Sequence, residues 1–102
     1  MRILSKKRLR EFWEKHPTAE EPIMFWYRVT KKAQWKHLSE TRKDFPHADQ
    51  VGECTVFNAG GNKFRLVTRI EYARQEVYIK YVLTHAEYDE EKWKSSCRSK
   101  KA

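Results

Sequence analysis

Asn58-Ala59-Gly60-Gly61-Asn62-Lys63-Phe64-Arg65-Leu66-Val67-Thr68-Arg69-Ile70 is the stretch on which the reading of this 102-residue chain turns. Two consecutive glycines mark a hairpin turn, and alternation of apolar and charged residues follows them. Successive side chains of a strand point to opposite faces. Phe64, Leu66, Thr68, Ile70 and Tyr72 therefore share one face, and Lys63, Arg65, Val67, Arg69 and Glu71 share the other. The first set suits a core. The second places three cations in one row on a rigid element, which suits an anion such as a phosphate backbone. An ordinary solvated sheet face accounts for the same pattern, because antiparallel sheets are often exposed on one side.

The following segment, Glu76 to Thr84, alternates as well. Val77, Ile79, Tyr81 and Leu83 form its apolar set, and Tyr78, Lys80, Val82 and Thr84 the opposite one. A tight connection through Ala73-Arg74 predicts an antiparallel hairpin in which pleat parity matches. That register sets Arg69 opposite Tyr78, Val67 opposite Lys80, Arg65 opposite Val82 and Lys63 opposite Thr84. Lys80 becomes a diagonal neighbour of Arg65 and Arg69, about 7–8 Å away. Like charges gathered so closely need acidic partners, and Glu71 and Glu76, at the far end, neutralise only part of the row. This favours a binding surface for an anionic partner, built from Lys63, Arg65, Arg69, Tyr78 and Lys80.

Upstream the period changes. Arg2-Ile3-Leu4 reads as a short strand, and Ser5 as the cap of a helix running to about Lys15 with Leu9, Phe12 and Trp13 on its apolar side. Pro17 ends it. Thr18-Ala19-Glu20-Glu21 reads as a capping box for a second helix, whose stripe is Ile23, Trp26, Val29 and Ala33. Ser39 to Phe45 reads as a short helical turn, 47–53 as a surface connection, and Cys54 as the start of the sheet. Helical spacing before residue 45 and period-two alternation after it predict an α+β fold. One domain over 1–94 is expected, with a basic tail over 95–102 that frays.

Composition bounds the function. A hydrophobic fraction of 39% with four Trp, five Tyr and five Phe supports one modest core. The net charge of +8 points to a polyanionic partner, a nucleic acid or an acidic protein. The N-terminus lacks the apolar run of a signal peptide and no segment is suited to span a bilayer, so a soluble cytoplasmic protein is expected. Cys54 and Cys97 lack metal-type spacing and fit a reduced chain better than a disulfide scaffold.

Familiar catalytic motifs are missing. Gly60-Gly61 has no following Lys-Ser/Thr, so it is no phosphate loop, and there is no serine elbow. His16, His37 and His47 read as surface residues, and with the cysteines they form no zinc pattern. Asp89, Glu90 and Glu91 are consecutive, so they diverge and cannot hold two metal ions together. No cofactor is called for. Thr84-His85-Ala86-Glu87-Tyr88-Asp89 stands apart, with an imidazole, carboxylates and a phenol at a strand exit. His85 there is either a structural histidine or an acid–base group beside the cationic row.

Three blocks together resemble a known family. Val56-Phe57-Asn58-x-Gly60-Gly61-Asn62-Lys63-Phe64-Arg65-Leu66-Val67, Val77-Tyr78-Ile79-Lys80-Tyr81-Val82 and Thr84-His85-Ala86-Glu87-Tyr88-Asp89 resemble the HigB group of bacterial toxins. Lys7-Arg8-Leu9-Arg10-Glu11-Phe12-Trp13-Glu14, Trp26-Tyr27 and Trp35-Lys36 resemble its helical region, so the likeness runs from Met1 to Asp89. Membership of the wider RelE-like superfamily would imply a compact α+β domain with two helices packed on a twisted antiparallel sheet. It would imply endoribonucleolytic cleavage of mRNA, often on the ribosome, and silencing by a helix-turn-helix antitoxin of HigA type. The site residues carried over are Lys63, Arg65, Lys80, His85 and Tyr88.

Elementary chemistry agrees with that implication. RNA brings its own nucleophile, the 2′-hydroxyl, so cleavage needs only a base, an acid for the leaving 5′-oxygen and cations for the pentacoordinate phosphate. Arg65 suits the phosphate clamp because its fork binds two oxygens at once. Lys63 and Lys80 add field, His85 is the first candidate for proton transfer, and Tyr88 suits base stacking or acid help. Two other classes compete: a basic protein that binds RNA or ribosomes without cutting, and a protein-directed inhibitor on the same fold. Tyr78, Tyr81 and Tyr88 among the cations would serve the first of these by stacking.

Overall fold

Pro17 divides the helical half of the chain: it lacks an amide donor and disfavours helical geometry at His16. The structure is a computed structural model that describes residues 1–98. Strand β1 (Arg2–Leu4) leads into helix α1 (Lys6–Lys15), and a 3₁₀ turn (Pro17–Ala19) leads into α2 (Glu20–Lys32). The capping box expected at Thr18 does not form. Pro17 draws Thr18 into the 3₁₀ turn, and Ala19 takes the N-cap position without a side-chain bond. At its other end α2 is closed by the Met1 ammonium, which donates to the carbonyls of Lys31 (3.2 Å) and Ala33 (2.6 Å). A cation at a helix C-terminus complements the macrodipole, while partial burial lowers the pKa of this amine.

After α3 (Leu38–Asp44) come β2 (Asp49–Val51), β3 (Cys54–Ala59), β4 (Phe64–Glu71) and β5 (Glu76–Thr84), then the short helix α4 (His85–Asp89). The sheet order is β1-β5-β4-β3-β2. The expected antiparallel run is present in β2 to β5, but β1 pairs parallel to β5, so the five-stranded sheet is mixed. A parallel partner needs a long crossover, and the helical half of the chain supplies it. Strand β2 lies in the stretch expected to be a connection. Gly52, at φ +58°, folds the chain back so that Val51 meets Cys54.

The helices cover one face of this sheet. Leu9 of α1 and Ile23 and Trp26 of α2 pack with Phe57, Leu66, Val77 and Ile79, all buried. Trp35 and Phe45 close the core beside Phe57, with ring centroids 5.3–6.2 Å apart. Each such large apolar side chain contributes about 1.5–3 kcal/mol on burial.

Strand β5 departs from its predicted alternation. Arg69 faces Tyr78 as expected, but Thr68 faces Ile79 while Val67 faces Tyr81, which leaves Lys80 as the extra residue of a β-bulge. Arg65 consequently faces Leu83, and Phe64 faces Thr84. The expected pairs Val67–Lys80, Arg65–Val82 and Lys63–Thr84 are therefore wrong. Val82 joins the helix-side core, Leu83 turns to the other face, and Tyr81 is exposed.

The outer face is not open along its length. A 3₁₀ turn, Lys92–Cys97, lays Trp93 and Cys97 on Cys54, Val56 and Val67 to make a second small core. Cys54 and Cys97 form a disulfide with their Cα atoms 5.2 Å apart, which corrects the expectation of free thiols. Wide separation in sequence hid their meeting in space. The Glu53 amide donates to the Cys97 carbonyl at 2.7 Å, and a Cβ on Gly52 would lie 1.9 Å from that oxygen. Ser95–Cys97, expected to fray, belong to this anchored turn and Arg98 caps it; tail residues 99–102 lie outside the described residues.

Candidate functional site

The C-terminal turn divides the cationic row into two ends. At one end the Gly60–Lys63 turn positions Lys63 and Arg65. Arg65 is 8% exposed, and its Nη1 donates to the carbonyls of Asn62 and Phe64, both at 3.1 Å. Its Nη2 donates to Asn62 Oδ1. The guanidinium lies over the Tyr88 ring, 5.0 Å from the centroid. Tyr88 in turn stacks on Trp93 at 4.8 Å and 13°, and the Trp93 indole N–H donates to the Tyr88 carbonyl at 2.9 Å. A loop amide and a two-ring stack thus fix this arginine.

His85 reaches the same end. Its backbone N–H donates to the Lys63 carbonyl at 2.9 Å, so α4 begins directly beside the turn. The start of that helix is set by a capping box: Thr84 Oγ1 accepts from the Glu87 N–H and Glu87 Oε1 from the Thr84 N–H. His85 Nδ1 lies 3.0 Å from Asp89 Oδ2, an orientation that leaves the other ring nitrogen to a substrate. The imidazole is half-exposed and Lys63 is exposed. Lys63, Arg65, His85 and Tyr88 are therefore gathered at one end of the face.

Arg69, Tyr78 and Lys80 gather at the other end, where with Arg74 and Glu71 they line a cleft of about 520 Å³. Arg69 pairs with Glu71 at 2.7 Å, and Lys80 Nζ donates to the Ser96 carbonyl at 2.7 Å. The Tyr78 hydroxyl donates to Glu76 at 2.7 Å, and that bond to a carboxylate pushes its pKa above the ordinary tyrosine value. Tyr78 is thus suited to stacking and not to removing a proton.

Sequence reasoning missed Asn62, Trp93 and Ser96, the groups that hold Arg65, Tyr88 and Lys80. Asn62 stands three residues before Arg65 in a glycine turn, which was a usable signal. Trp93 stacks on Tyr88 five residues away, but its burial in a cluster with Cys54, Val56 and Val67 of other elements had no local signal. Among the described residues no cluster of three or more His, Cys, Asp or Glu is placed to hold a metal ion. No helix among them is long and apolar enough to cross a membrane.

Known proteins share this sequence pattern. The family model described as "HigB_toxin, RelE-like toxic component of a toxin-antitoxin system" matches residues 19–91. The mRNA interferase HigB of Escherichia coli O6:H1 is 30% identical over 92 residues, covering 87% of this chain and 89% of that protein. The mRNA interferase toxin HigB of Escherichia coli K12 and the mRNA interferase HigB of Shigella flexneri are each 30% identical, covering 87% of this chain and 88% of their own lengths. The chain belongs to the HigB family of RelE-like toxins, the toxic components of toxin–antitoxin systems.

Proposed function

We propose that this toxin is an endoribonuclease that cleaves mRNA in the cytoplasm by attack of the substrate's own 2′-hydroxyl. The observation that supports it most is the convergence of a fixed guanidinium, a lysine and a carboxylate-oriented imidazole at one end of the sheet. Three of the five N–H donors of Arg65 are used by Asn62 and Phe64, which leaves two for a phosphate. Lys63 adds charge from solvent, His85 transfers the proton, and Tyr88 supports Arg65 from beneath. Arg69, Tyr78 and Lys80 bind the RNA strand leading away from the cut. Relatives named mRNA interferases support the substrate class.

Cutting takes place on the ribosome, where the message is held extended. The antitoxin that completes the system is a helix-turn-helix protein of HigA type, which silences the toxin by covering or distorting the cationic face. A surface that binds a polyanion is neutralised most directly by acidic groups of a partner.

One feature favours a rival, a protein that binds RNA without cutting it: Arg65 is largely occupied by its own loop. The experiment that separates the two is cleavage of a translated message with and without EDTA, followed by end-group analysis. The expected products carry a 2′,3′-cyclic phosphate, or its opened form, and a 5′-hydroxyl. Arg65→Lys, which keeps the charge and loses the fork, should lower kcat about 10²–10³-fold with binding little changed. His85→Ala should cost about 10²-fold. Chelator-sensitive cutting with 5′-phosphate ends refutes the mechanism, and full activity in both variants refutes the site.

A further inference from the structure

We infer that the groove between α1 and the outer edge of β5 is a second binding site for single-stranded RNA, taking the substrate's flank off the sheet. The inference rests on the reading of this toxin as an RNA-cutting enzyme and adds a site outside the catalytic end. Strand β1 pairs with β5 at Glu76–Tyr78, so among the described residues no strand covers that edge from Ile79 onward. Helix α1 runs alongside and leaves a groove of about 440 Å³. Arg8, Lys15 and His16 line it from the helix, and Lys80 and Tyr81 from the strand.

The β-bulge is what joins this groove to the sheet face. It sets Lys80 and Tyr81 together opposite Val67, at the rim. Lys80 lines both the groove and the cleft that holds Arg69, Arg74 and Tyr78. A strand crossing the outer face therefore meets one shared cation as it turns the edge.

The chemistry of the groove matches a single strand on both counts that matter, phosphate and base. Helix α1 has five cations, Lys6, Lys7, Arg8, Arg10 and Lys15, against Glu11 and Glu14, and none of them forms an ion pair among the described residues. Arg8 spends one N–H on the Lys80 carbonyl at 2.9 Å, which fixes its guanidinium at the groove wall, its other donors unused among the described residues. The His16 ring stacks on Phe12 at 4.5 Å and 29°, and Tyr81 is 37% exposed. Solvent-facing rings interleaved with cations are how sequence-tolerant single-strand sites are built. An acidic peptide would use the cations but has no need of the rings. Two carboxylates, Glu11 and Glu87, also line the groove; Glu87 is held in place by the Thr84 cap and keeps its charge, so Arg8, Lys15 and Lys80 outnumber them three to two.

The test uses the full chain and two RNA probes with 2′-O-methyl sugars, which cannot be cut, of about four and about twelve nucleotides, the range one such site covers. Binding is read by fluorescence anisotropy across a salt series, for wild type and for the Lys15→Ala/Tyr81→Ser variant. Both side chains are exposed, so an unchanged unfolding midpoint verifies the fold. The wild type should bind the longer probe about tenfold more tightly than the shorter. The variant should lose that advantage, bind the shorter probe as before and show a salt slope shallower by about 0.7 for the lost phosphate contact. A variant that keeps the length advantage overturns the groove. So does one that loses affinity for the antitoxin while RNA binding is untouched. A wild type that binds neither probe and cuts no message overturns the enzymatic reading itself. A wild type that cuts, with no length effect traceable to Lys15 and Tyr81, overturns only this extension.

Discussion

Asn62 decides what Arg65 is able to do. Arg65 is 8% exposed, and three of its five N–H donors are held by acceptors of its own turn and strand, two of them on Asn62, which offsets much of the cost of desolvating the charge. Removing the Asn62 side chain deletes the acceptor on Nη2 and leaves the backbone carbonyl in place. Asn62→Ala should therefore cost about 1.5–3 kcal/mol, the range for a hydrogen bond to a charged group. Asn62→Asp keeps that acceptor and adds a negative charge, so it should hold or raise stability while weakening RNA binding. Urea unfolding and RNA titration on the two variants separate these effects. Equal losses of RNA affinity in both would show that the amide itself, and not the local charge balance, is what the substrate senses.

Among the elements, the bulge in β5 and the turn at Gly52 do most to set the site. Helical spacing up to Lys32, the inward-facing set of β4 and the first part of β5 were legible because each reflects one face meeting the helix-side core. The stripe through Ile23 and Trp26 and the face through Phe64 and Leu66 follow from period alone. The bulge at Lys80 was not legible, since Tyr81-Val82-Leu83 reads equally well in either parity, and only the pairing with β4 chooses between them. Membership of Lys63, Arg65, His85 and Tyr88 in one place was legible from the blocks, whereas the covering of Val67 was not. That cover is a cluster drawn from residues far apart in sequence, Cys54, Val56 and Val67 with Trp93 and Cys97. Gly52 carries the matching prediction. Its φ of +58° and the Cys97 carbonyl 1.9 Å from any added Cβ leave no room for a side chain. Gly52→Ala should destabilise by about 1–2 kcal/mol from the left-handed backbone alone, and more through displacement of the C-terminal turn. Hydrogen exchange at the Glu53 amide should accelerate, and retention of its protection would contradict the close approach.

At the scale of the whole molecule the two faces are held by different means. The helix side has many large apolar side chains, while the outer face has a small cluster, a lysine tied to a backbone carbonyl and one covalent link. The link joins residues 43 apart, so it removes entropy from the unfolded chain over nearly half the sequence. Loop-closure reasoning puts that contribution at roughly 4 kcal/mol. Both sulfurs are shielded from any dithiol reductant, Cys54 being 0% and Cys97 1% exposed. Opening the bond leaves the Trp93 stack and the Glu53–Cys97 hydrogen bond in place, so the fold should survive with a looser outer face. Guanidinium unfolding with and without a dithiol, and on the Cys54→Ala/Cys97→Ala variant, measures this. The expected outcome is a loss of about 2–4 kcal/mol in both arms, with the unfolding transition remaining cooperative. If the chain isolated under alkylating conditions has two modified thiols and the dithiol changes nothing, the bond contributes no stability and the cover rests on packing alone.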